Sequence, residues 1–459
     1  MLVSLLHFDR LRRTAALFTA LLAAFAVATP ATAAPAACHF PTLQRAASPE
    51  SVGFSAAGLA RVDQLIERDV AAGFPGAALV VIKDGQIVKQ SHYGYRKKLD
   101  GRIPLDTFPP VRDDTLFDLA SNTKMYATNF ALQKLVSESR LDLQARVRDY
   151  LPNFADGDGD PIQGKAALRV IDLLHHAAGF APDPQFHNPA VAGDFFSQDR
   201  EKTLELLPKL PLRYEPGSKT TYSDTDYMLL GLIVERITGE RLDTYVENTI
   251  YRPLKLNHTL FNPLQKGFRP QDFAATEPEG NTREGTINFP HIRTYTLQGE
   301  VHDEKAYYAM GGVSGHAGLF STTGELAVLL QVMLNGGGYG DVCLFDPDTI
   351  ARFTAPSPLD PTFGLGWRRN GTANMQWMFG SGAGPLAYGH TGWTGTLTVI
   401  DPEIDLGIVL LTNKKHSPLV DAGTNSNKFL GDLFATGRYG AVVAAVYAAL
   451  NADVTSAGH

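Results

Sequence analysis

A serine and a lysine stand three residues apart in LFDLASNTKMYATNFALQKLV, residues 116–136. Ser121 could cap the helix predicted here, because a serine hydroxyl accepts an orphan N–H of a first helical turn. It could instead be a nucleophile with Lys124 as its base, since side chains three apart share one helix face. The apolar residues that follow have the spacing of a buried helix face, which suits both readings: Ala127, Phe130, Ala131 and Leu135.

Two later stretches carry further polar side chains that could take part in chemistry. TTYSDTDYMLLG, residues 220–231, places Tyr222 and Asp224 two apart just before a predicted helix. GHTGWTGTLTVI, residues 389–400, leads a glycine-flanked polar triplet into a predicted strand. Each stretch alone also has a structural explanation, as a core aromatic, a helix N-cap or a turn between strands.

Taken together and in this order, the three stretches resemble the motifs of the serine β-lactamase and penicillin-binding protein superfamily: Ser-x-x-Lys, (Ser/Tyr)-x-Asn and Lys-Thr-Gly. The similarity is greatest to the class C β-lactamase-like branch, whose second motif starts with Tyr, and within it to D-alanyl-D-alanine carboxypeptidases. The phrases YSDTDYMLLG, GGVSGHAGLFST (311–322) and HTGWTGT also match, and the resemblance covers roughly residues 50–430.

The resemblance implies a role for each motif residue. Ser121 would form an acyl intermediate, with Lys124 beside it and Tyr222 relaying the proton to the leaving group. The backbone N–H groups of Ser121 and Trp393 would stabilise the oxyanion. The triplet His390-Thr391-Gly392, together with Trp393, would form the strand that binds substrate.

The chain departs from the superfamily pattern at two positions. Asp224 stands where an asparagine is usual; it cannot donate to a substrate carbonyl, but it can pair with Lys124 and raise the pKa of that lysine. Tyr222, or a Tyr–Lys unit, then becomes the better candidate for the base. His390 replaces a lysine and is a cation only when protonated, so carboxylate recognition should weaken above about pH 6.5. Both changes disfavour efficient β-lactam hydrolysis and leave acyl transfer intact.

The leading functional hypothesis is therefore a serine acyl hydrolase, a D-Ala-D-Ala carboxypeptidase acting on cell-wall peptides. One alternative is a carboxylesterase of the same fold, which the loss of a permanent cation at His390 would favour. Another is a non-catalytic sensor that binds muropeptides or β-lactams. No cofactor is predicted, and the two cysteines and scattered histidines match no metal-ligand spacing.

The order of predicted elements gives the fold. A helix at 56–74, a hairpin around Asp84-Gly85 and late strands at 363–369 and 395–413 enclose a mainly helical region, and a last helix follows at 440–452. The pattern predicts an α+β fold of the β-lactamase/transpeptidase type, with one antiparallel sheet built from both termini, flanked by helices, and an inserted helical lobe. The predicted catalytic domain is 34–459, with a sheet lobe at about 50–115 and 305–459 and a helical lobe at about 116–304.

Composition and the N-terminus indicate where the protein works. The 459 residues carry a net charge of −7 without a basic block, which argues against nucleic acid as a partner. Residues 1–33 have three arginines, a 15-residue apolar run and an Ala-x-Ala site, as in a secretory signal. We expect a periplasmic or extracellular protein, attached to the membrane only if this segment remains uncleaved. Cys38 and Cys343 could pair there.

Two more polar stretches have open roles. GEVHDEKA, residues 299–306, groups Glu300, His302 and Asp303, and is predicted to be a solvated loop. The glycine-rich stretch 311–322 could line the cleft or allow close packing between lobes. The sequence leaves the role of its histidine, His316, undecided.

Overall fold

The computed structural model describes residues 38–450, and the predicted signal segment 1–33 lies outside them. A disulfide joins Cys38 to Cys343, whose Cα atoms are 5.8 Å apart, so the two cysteines do pair. Within the described residues, no helix has both the length and the apolar character needed to cross a membrane.

Fourteen strands are described along residues 38–450. They are β1 (Gln44–Arg45), β2 (Gly76–Lys83), β3 (Gln86–Gly94), β4 (Leu99–Asp100), β5 (Ile103–Pro104), β6 (Phe117–Asp118), β7 (Leu260–Phe261), β8 (Leu319–Ser321), β9 (Gly338–Tyr339), β10 (Val342–Cys343), β11 (Arg368–Arg369), β12 (Tyr388–Gly392), β13 (Thr396–Asp401) and β14 (Leu406–Thr412).

Seven of these strands form the main sheet, in the order β1-β3-β2-β14-β13-β12-β11. All neighbours pair antiparallel except the two-residue β1, which runs parallel to β3. The β2–β3 hairpin turns at Asp84 and Gly85, both with positive φ, as an Asp-Gly turn requires. Strands from both ends of the chain therefore meet in one sheet, which confirms the predicted architecture.

The helices cover both faces of this sheet. They are α1 (Ala56–Ala71), α2 (Phe130–Ser137), α3 (Val147–Tyr150), α4 (Val170–Leu174), α5 (Pro189–Ala192), α6 (Arg200–Leu206), α7 (Asp224–Thr238), α8 (Leu242–Val246), α9 (Thr323–Leu334), α10 (Pro347–Thr354), α11 (Gln376–Phe379) and α12 (Gly440–Ala448). Strand β2 is buried along its whole length because alternate side chains enter two cores. Leu79 and Val81 pack with α1 and α12, and Val80 and Ile82 pack towards α2, α7 and α9.

The middle of the chain is less helical than predicted. Helices α2 to α8 are mostly short, and residues 252–318 are largely irregular, with one π-helical turn at Lys305–Ala309. Strands β6, β8 and β7 form a small separate sheet there. The backbone bends that proline and glycine permit interrupt the helical pattern in this region, and the boundaries of the two lobes remain a prediction.

The start of the first motif is fastened to the main sheet by buried hydrogen bonds. Asn122 donates to the Oγ1 atom of Thr396 at 2.9 Å and accepts from the Oγ1 atom of Thr398 at 3.2 Å. Thr396 in turn donates to the carbonyl of Leu119 at 2.9 Å. The polar side chains of β13 thus fix the turn that carries Ser121, next to the end of β12.

We expect Asn122→Ala to lower both stability and activity, because two buried threonine hydroxyls would lose a partner. The expected cost is about 1–3 kcal/mol, read as a lower midpoint of urea unfolding. The exposed Asn257 supplies the matched control, Asn257→Ala. An unchanged midpoint for Asn122→Ala would show that these bonds do not hold the turn.

Candidate active site

Ser121 lies in a 3-10 turn, Ala120–Asn122, between β6 and a π-helical turn at Lys124–Asn129 that leads into α2. Leu119 occupies the N-cap position of this turn, so the capping explanation of Ser121 does not hold. Ala120 has a positive φ of 45°, a strained conformation for a residue with a side chain. The buried carboxylate of Asp118 supports it by accepting the N–H of Ala120 at 2.8 Å.

Lys124 is fully buried, and its ammonium group contacts three acceptors from three parts of the chain. It donates to the Oγ atom of Ser121 at 2.9 Å and to the carbonyl of His316 at 3.2 Å, and pairs with Asp224 at 2.8 Å. Burial lowers the pKa of Lys124, but Asp224 and Tyr222 outweigh it, and the net shift is upward. Lys124 is therefore an ammonium group that orients Ser121.

Asp224 is the first residue of α7, with Ser223 at the N-cap position. The two lysines beside Asp224, Lys124 and Lys305, outweigh burial and hold the pKa of its carboxyl group well below the usual range. The structure thus brings Asp224 to Lys124, as the sequence predicted, and adds a second lysine that the sequence did not indicate.

Tyr222 lies beside the ammonium group of Lys124. Its ring centre is 4.8 Å from the Nζ atom of Lys124 and 5.4 Å from the guanidinium carbon of Arg368. The rings of His176 and His390 lie on other sides, at 4.8 and 5.8 Å. Tyr222 therefore lies between two cationic side chains, those of Lys124 and Arg368.

The third motif forms the strand β12, whose end approaches the turn that carries Ser121. A Cβ atom on Gly392 would lie 2.3 Å from the carbonyl oxygen of Leu119, so only glycine fits there. Thr391 and Trp393 line a cavity together with Ser121. Trp393 is 39% exposed.

His390 differs from the expectation that it reads a carboxylate as an imidazolium cation. The side chain is buried, and its Nδ1 atom donates to the carbonyl of Thr391 at 2.7 Å. Burial, together with the charges of Lys124 and Arg368, lowers the pKa of His390 to about 3. His390 is thus neutral at any pH near physiological, and the pH-dependent recognition expected from the sequence does not follow.

Permanent cations occupy this side of Ser121 instead. A cavity of about 370 Å³ is lined by Ser121, Tyr222 and three cationic side chains, those of Arg368, Lys414 and Lys415. The two lysines share one carboxylate, that of Asp432, at 3.1 and 2.8 Å. Burial lowers the pKa of Lys415 to about 8.

Arg368 differs from these lysines in its partners. Its guanidinium carbon lies 3.9 Å from the ring centre of Phe363, and no ion pair between described residues includes it. The cavity therefore has an excess of positive charge beside Ser121.

A second cavity, of about 260 Å³, opens on another side of Ser121 and also contacts Tyr222 and Trp393. Its walls carry four carboxylates, which outnumber the cations there: Asp183, Asp224, Asp303 and Glu304 beside Arg283 and Lys305. Three of these residues belong to the stretch 299–306, so the prediction of a solvated loop is wrong. The side chains of His302 and Lys305 are buried.

His316 and its glycine-rich stretch combine both expected roles. The Nε2 atom of His316 is 2.9 Å from an oxygen of Asp303, and its Nδ1 atom is 2.7 Å from the Oγ atom of Ser314. A Cβ atom on Gly315 would lie 2.0 Å from the carbonyl oxygen of Tyr227 in α7, so the stretch also packs tightly against that helix.

Oxygen and nitrogen atoms of Asp224, Asp303 and His316 lie within 4.8 Å of one another, a spacing that would suit a metal ion. The ammonium group of Lys305 already contacts both carboxylates, at 3.3 and 3.1 Å. A side chain of the protein itself thus bridges these two carboxylates, and the arrangement fits an ammonium group.

Sequence reasoning missed Arg368, Lys305 and Lys415. Arg368 was part of a predicted strand and Lys305 of a predicted loop, and neither has a motif around it. Only their positions in the fold bring them to the cavities beside Ser121, so no local pattern could have identified them.

Comparison with known proteins gives consistent matches. The family model described as Beta-lactamase matches residues 62–432. The N-acetylmuramyl-L-alanine amidase of Bacillus subtilis (strain 168) is 59% identical over 401 residues, 87% of this chain and 91% of the relative. A protein of Escherichia coli (strain K12) named "Putative D-alanyl-D-alanine carboxypeptidase" is 57% identical over 414 residues, 90% of this chain and 95% of the relative.

Solved structures share the fold at lower identity. A penicillin-binding protein homologue from Caulobacter crescentus has a TM-score of 0.63 at 24% identity, covering 87% of this chain and 99% of that one. EstCE1, described as a hydrolase with promiscuous acyltransferase activity, has a TM-score of 0.62 at 21% identity, covering 85% and 98%. These two matches bear on the fold alone.

Ser121→Ala should abolish covalent labelling and turnover of an activated ester while leaving the fold intact, because only the nucleophilic oxygen is removed. Intact-protein mass spectrometry after reaction with a p-nitrophenyl ester would detect the acyl adduct. The exposed Ser218 gives a matched control, Ser218→Ala, which should label like the parent protein. An adduct that persists in Ser121→Ala would place the nucleophile elsewhere.

Proposed function

The chain belongs to the β-lactamase family, and from this premise we propose that it hydrolyses an amide bond of cell-wall peptides through an acyl-Ser121 intermediate. The observation that carries the proposal is the contact between Ser121 and the buried ammonium group of Lys124, 2.9 Å long, beside a cavity rich in cations. The first candidate is a D-Ala-D-Ala carboxypeptidase.

The geometry supports a mechanism in which Tyr222 is the base. Lys124 stays protonated and donates to Ser121, so the serine proton is free to move to the tyrosine oxygen as Ser121 attacks the carbonyl. The N–H groups of Ser121 and Trp393 would hold the oxyanion. Tyr222 then gives the proton to the departing amine. In the second step it takes a proton from the attacking water and returns it to the Ser121 oxygen as the bond to the acyl group breaks.

The cationic cavity supports a substrate with a free carboxylate, as a peptide ending in D-Ala has. Arg368 is a permanent cation with a planar pair of donors that suits a carboxylate. Arg368 would take the role that the sequence analysis assigned to a protonated His390. The sequence-based argument for an esterase was the absence of such a cation, and Arg368 weakens that argument.

A second candidate is an amidase that cleaves between N-acetylmuramic acid and the peptide, the bond in the name of the Bacillus subtilis relative. The exposed indole of Trp393 lines the second cavity together with the carboxylates of Asp183 and Glu304. An indole face packs against a sugar ring, and carboxylates accept hydrogen bonds from its hydroxyls. That side of Ser121 would then hold the sugar, and the cationic side the peptide.

We also propose that the protein works in an oxidising compartment outside the cytoplasm. The disulfide between Cys38 and Cys343 supports this, because such bonds persist where thiols are not kept reduced. The predicted signal segment at 1–33 agrees with it.

Incubation with an N-acetylmuramyl pentapeptide ending in D-Ala-D-Ala, followed by mass spectrometry, tests the two candidates together. Release of free D-alanine would support the carboxypeptidase, and release of N-acetylmuramic acid the amidase. Turnover of p-nitrophenyl esters with neither product would favour the esterase. A stable adduct without turnover would favour the sensor.

We expect Arg368→Gln to raise KM for a carboxylate substrate about ten- to a hundredfold more than KM for a neutral ester, because only the carboxylate substrate loses a charged hydrogen bond. The neighbouring Arg369, which the cavity does not include, gives the control Arg369→Gln. In the parent protein the ratio of kcat/KM for the two substrates should be flat from about pH 5 to 7, since His390 stays neutral there. A ratio that falls through pH 6.5 would restore His390 as the carboxylate reader.

A further inference from the structure

Lys305 is a buried lysine outside the three motifs whose ammonium group contacts three carboxylates. The partners come from three segments: Asp183 at 2.8 Å, Asp303 at 3.1 Å and Asp224 at 3.3 Å. An ammonium group has three donor hydrogens. The number of carboxylates matches the number of donors, so Lys305 has a fixed position.

Asp224 connects this lysine to the nucleophile. One of its oxygens pairs with Lys124 at 2.8 Å, and the other lies 3.3 Å from Lys305. A carboxylate with no second cation beside it would raise the proton affinity of every nearby base. A second cation on its far oxygen reduces that negative potential and fixes the orientation of the carboxylate.

The contacts close into a ring of five residues. From Lys124 the ring runs through Asp224, Lys305 and Asp303 to His316, whose carbonyl oxygen accepts from Lys124 at 3.2 Å. Its charged members alternate in sign, and each is buried or partly buried. A change in charge at Lys305 is therefore transmitted to the groups around Ser121 with little screening by water.

We infer that Lys305 is a positioning residue for acyl transfer: it holds Asp224 and offsets its charge, and so sets how readily the base beside Ser121 accepts the serine proton. The inference rests on the proposed function, because it assumes that Lys124 and Tyr222 act on Ser121. Lys305 itself needs no contact with substrate in this role.

Other charged and titratable groups face the same ring and must be kept unchanged in the test. Around Lys124 and Asp224 they are Tyr222, His176, Asp226, Arg368, His390 and His316. Around Lys305 they are Asp183, Asp303 and Glu304. Each of these groups could also change the proton affinity of the base beside Ser121. The test therefore compares variants that differ at Lys305 and Asp224 alone.

The experiment measures kcat/KM for a p-nitrophenyl ester against pH in the full chain and in three variants. Removing the cation in Lys305→Met should stabilise the protonated form of the base. The acid limb, the part of the pH profile in which activity falls at low pH, should then move to higher pH by about one unit. Asp224→Asn removes an anion and should move the limb to lower pH. In Asp224→Asn/Lys305→Met, the shift caused by the lysine change should be less than half as large, since its partner carboxylate is gone.

Two further variants separate this role from a structural one. Lys305→Arg keeps the charge and should keep the acid limb of the parent protein, even if stability falls. Lys165 is also buried but donates only to the carbonyls of Ala155 and Pro208, so Lys165→Met should lower stability without moving the limb.

A parent-like pH profile in folded Lys305→Met would overturn the inference while leaving the proposed function standing. If Lys305→Met does not fold, an acid limb that moves to higher pH in Lys305→Arg would overturn it equally. Absence of any ester turnover or acylation in the parent protein would instead overturn the proposed function itself.

Discussion

The burial of the Lys124 ammonium group is the constraint on which the site depends. An unpaired charge at zero exposure would cost several kcal/mol, so the fold must bring acceptors to it. Those acceptors are the hydroxyl of Ser121, the carbonyl of His316 and the carboxylate of Asp224. The first motif, the glycine-rich stretch and the start of α7 converge because this one cation requires all three.

The sheet supplies the other half of the site. Gly392 lets strand β12 approach the turn of Ser121, and the threonines of β13 fasten that turn through Asn122. Ser121 then lies between two cavities of opposite character, one lined by cations and one by carboxylates. Such a cleft suits a substrate with an anionic group on one side of the reacting carbonyl and hydrogen-bond donors on the other.

The outline of this arrangement could be predicted because its signals are local. The spacing of Ser121 and Lys124, the Asp84-Gly85 hairpin and the periodicity of α1 and α7 all depend on neighbours within a few residues. The strands at the two ends of the chain and the helices between them were enough to predict one sheet built from both termini. The irregular region 252–318 was harder to predict, since its conformation depends on packing against distant segments.

The sequence by itself determined the family to which the chain belongs, and it predicted Ser121 as the nucleophile with Lys124 and Tyr222 beside it, because these inferences rest on residue types at fixed spacing. Only the tertiary structure decided the charges around them. Burial makes His390 neutral, and chain segments far apart place Arg368 and Lys305 in the two cavities beside Ser121. The protonation of a side chain depends on solvent access and on charges within a few ångströms, and in a chain of 459 residues those neighbours come from folding rather than from sequence order.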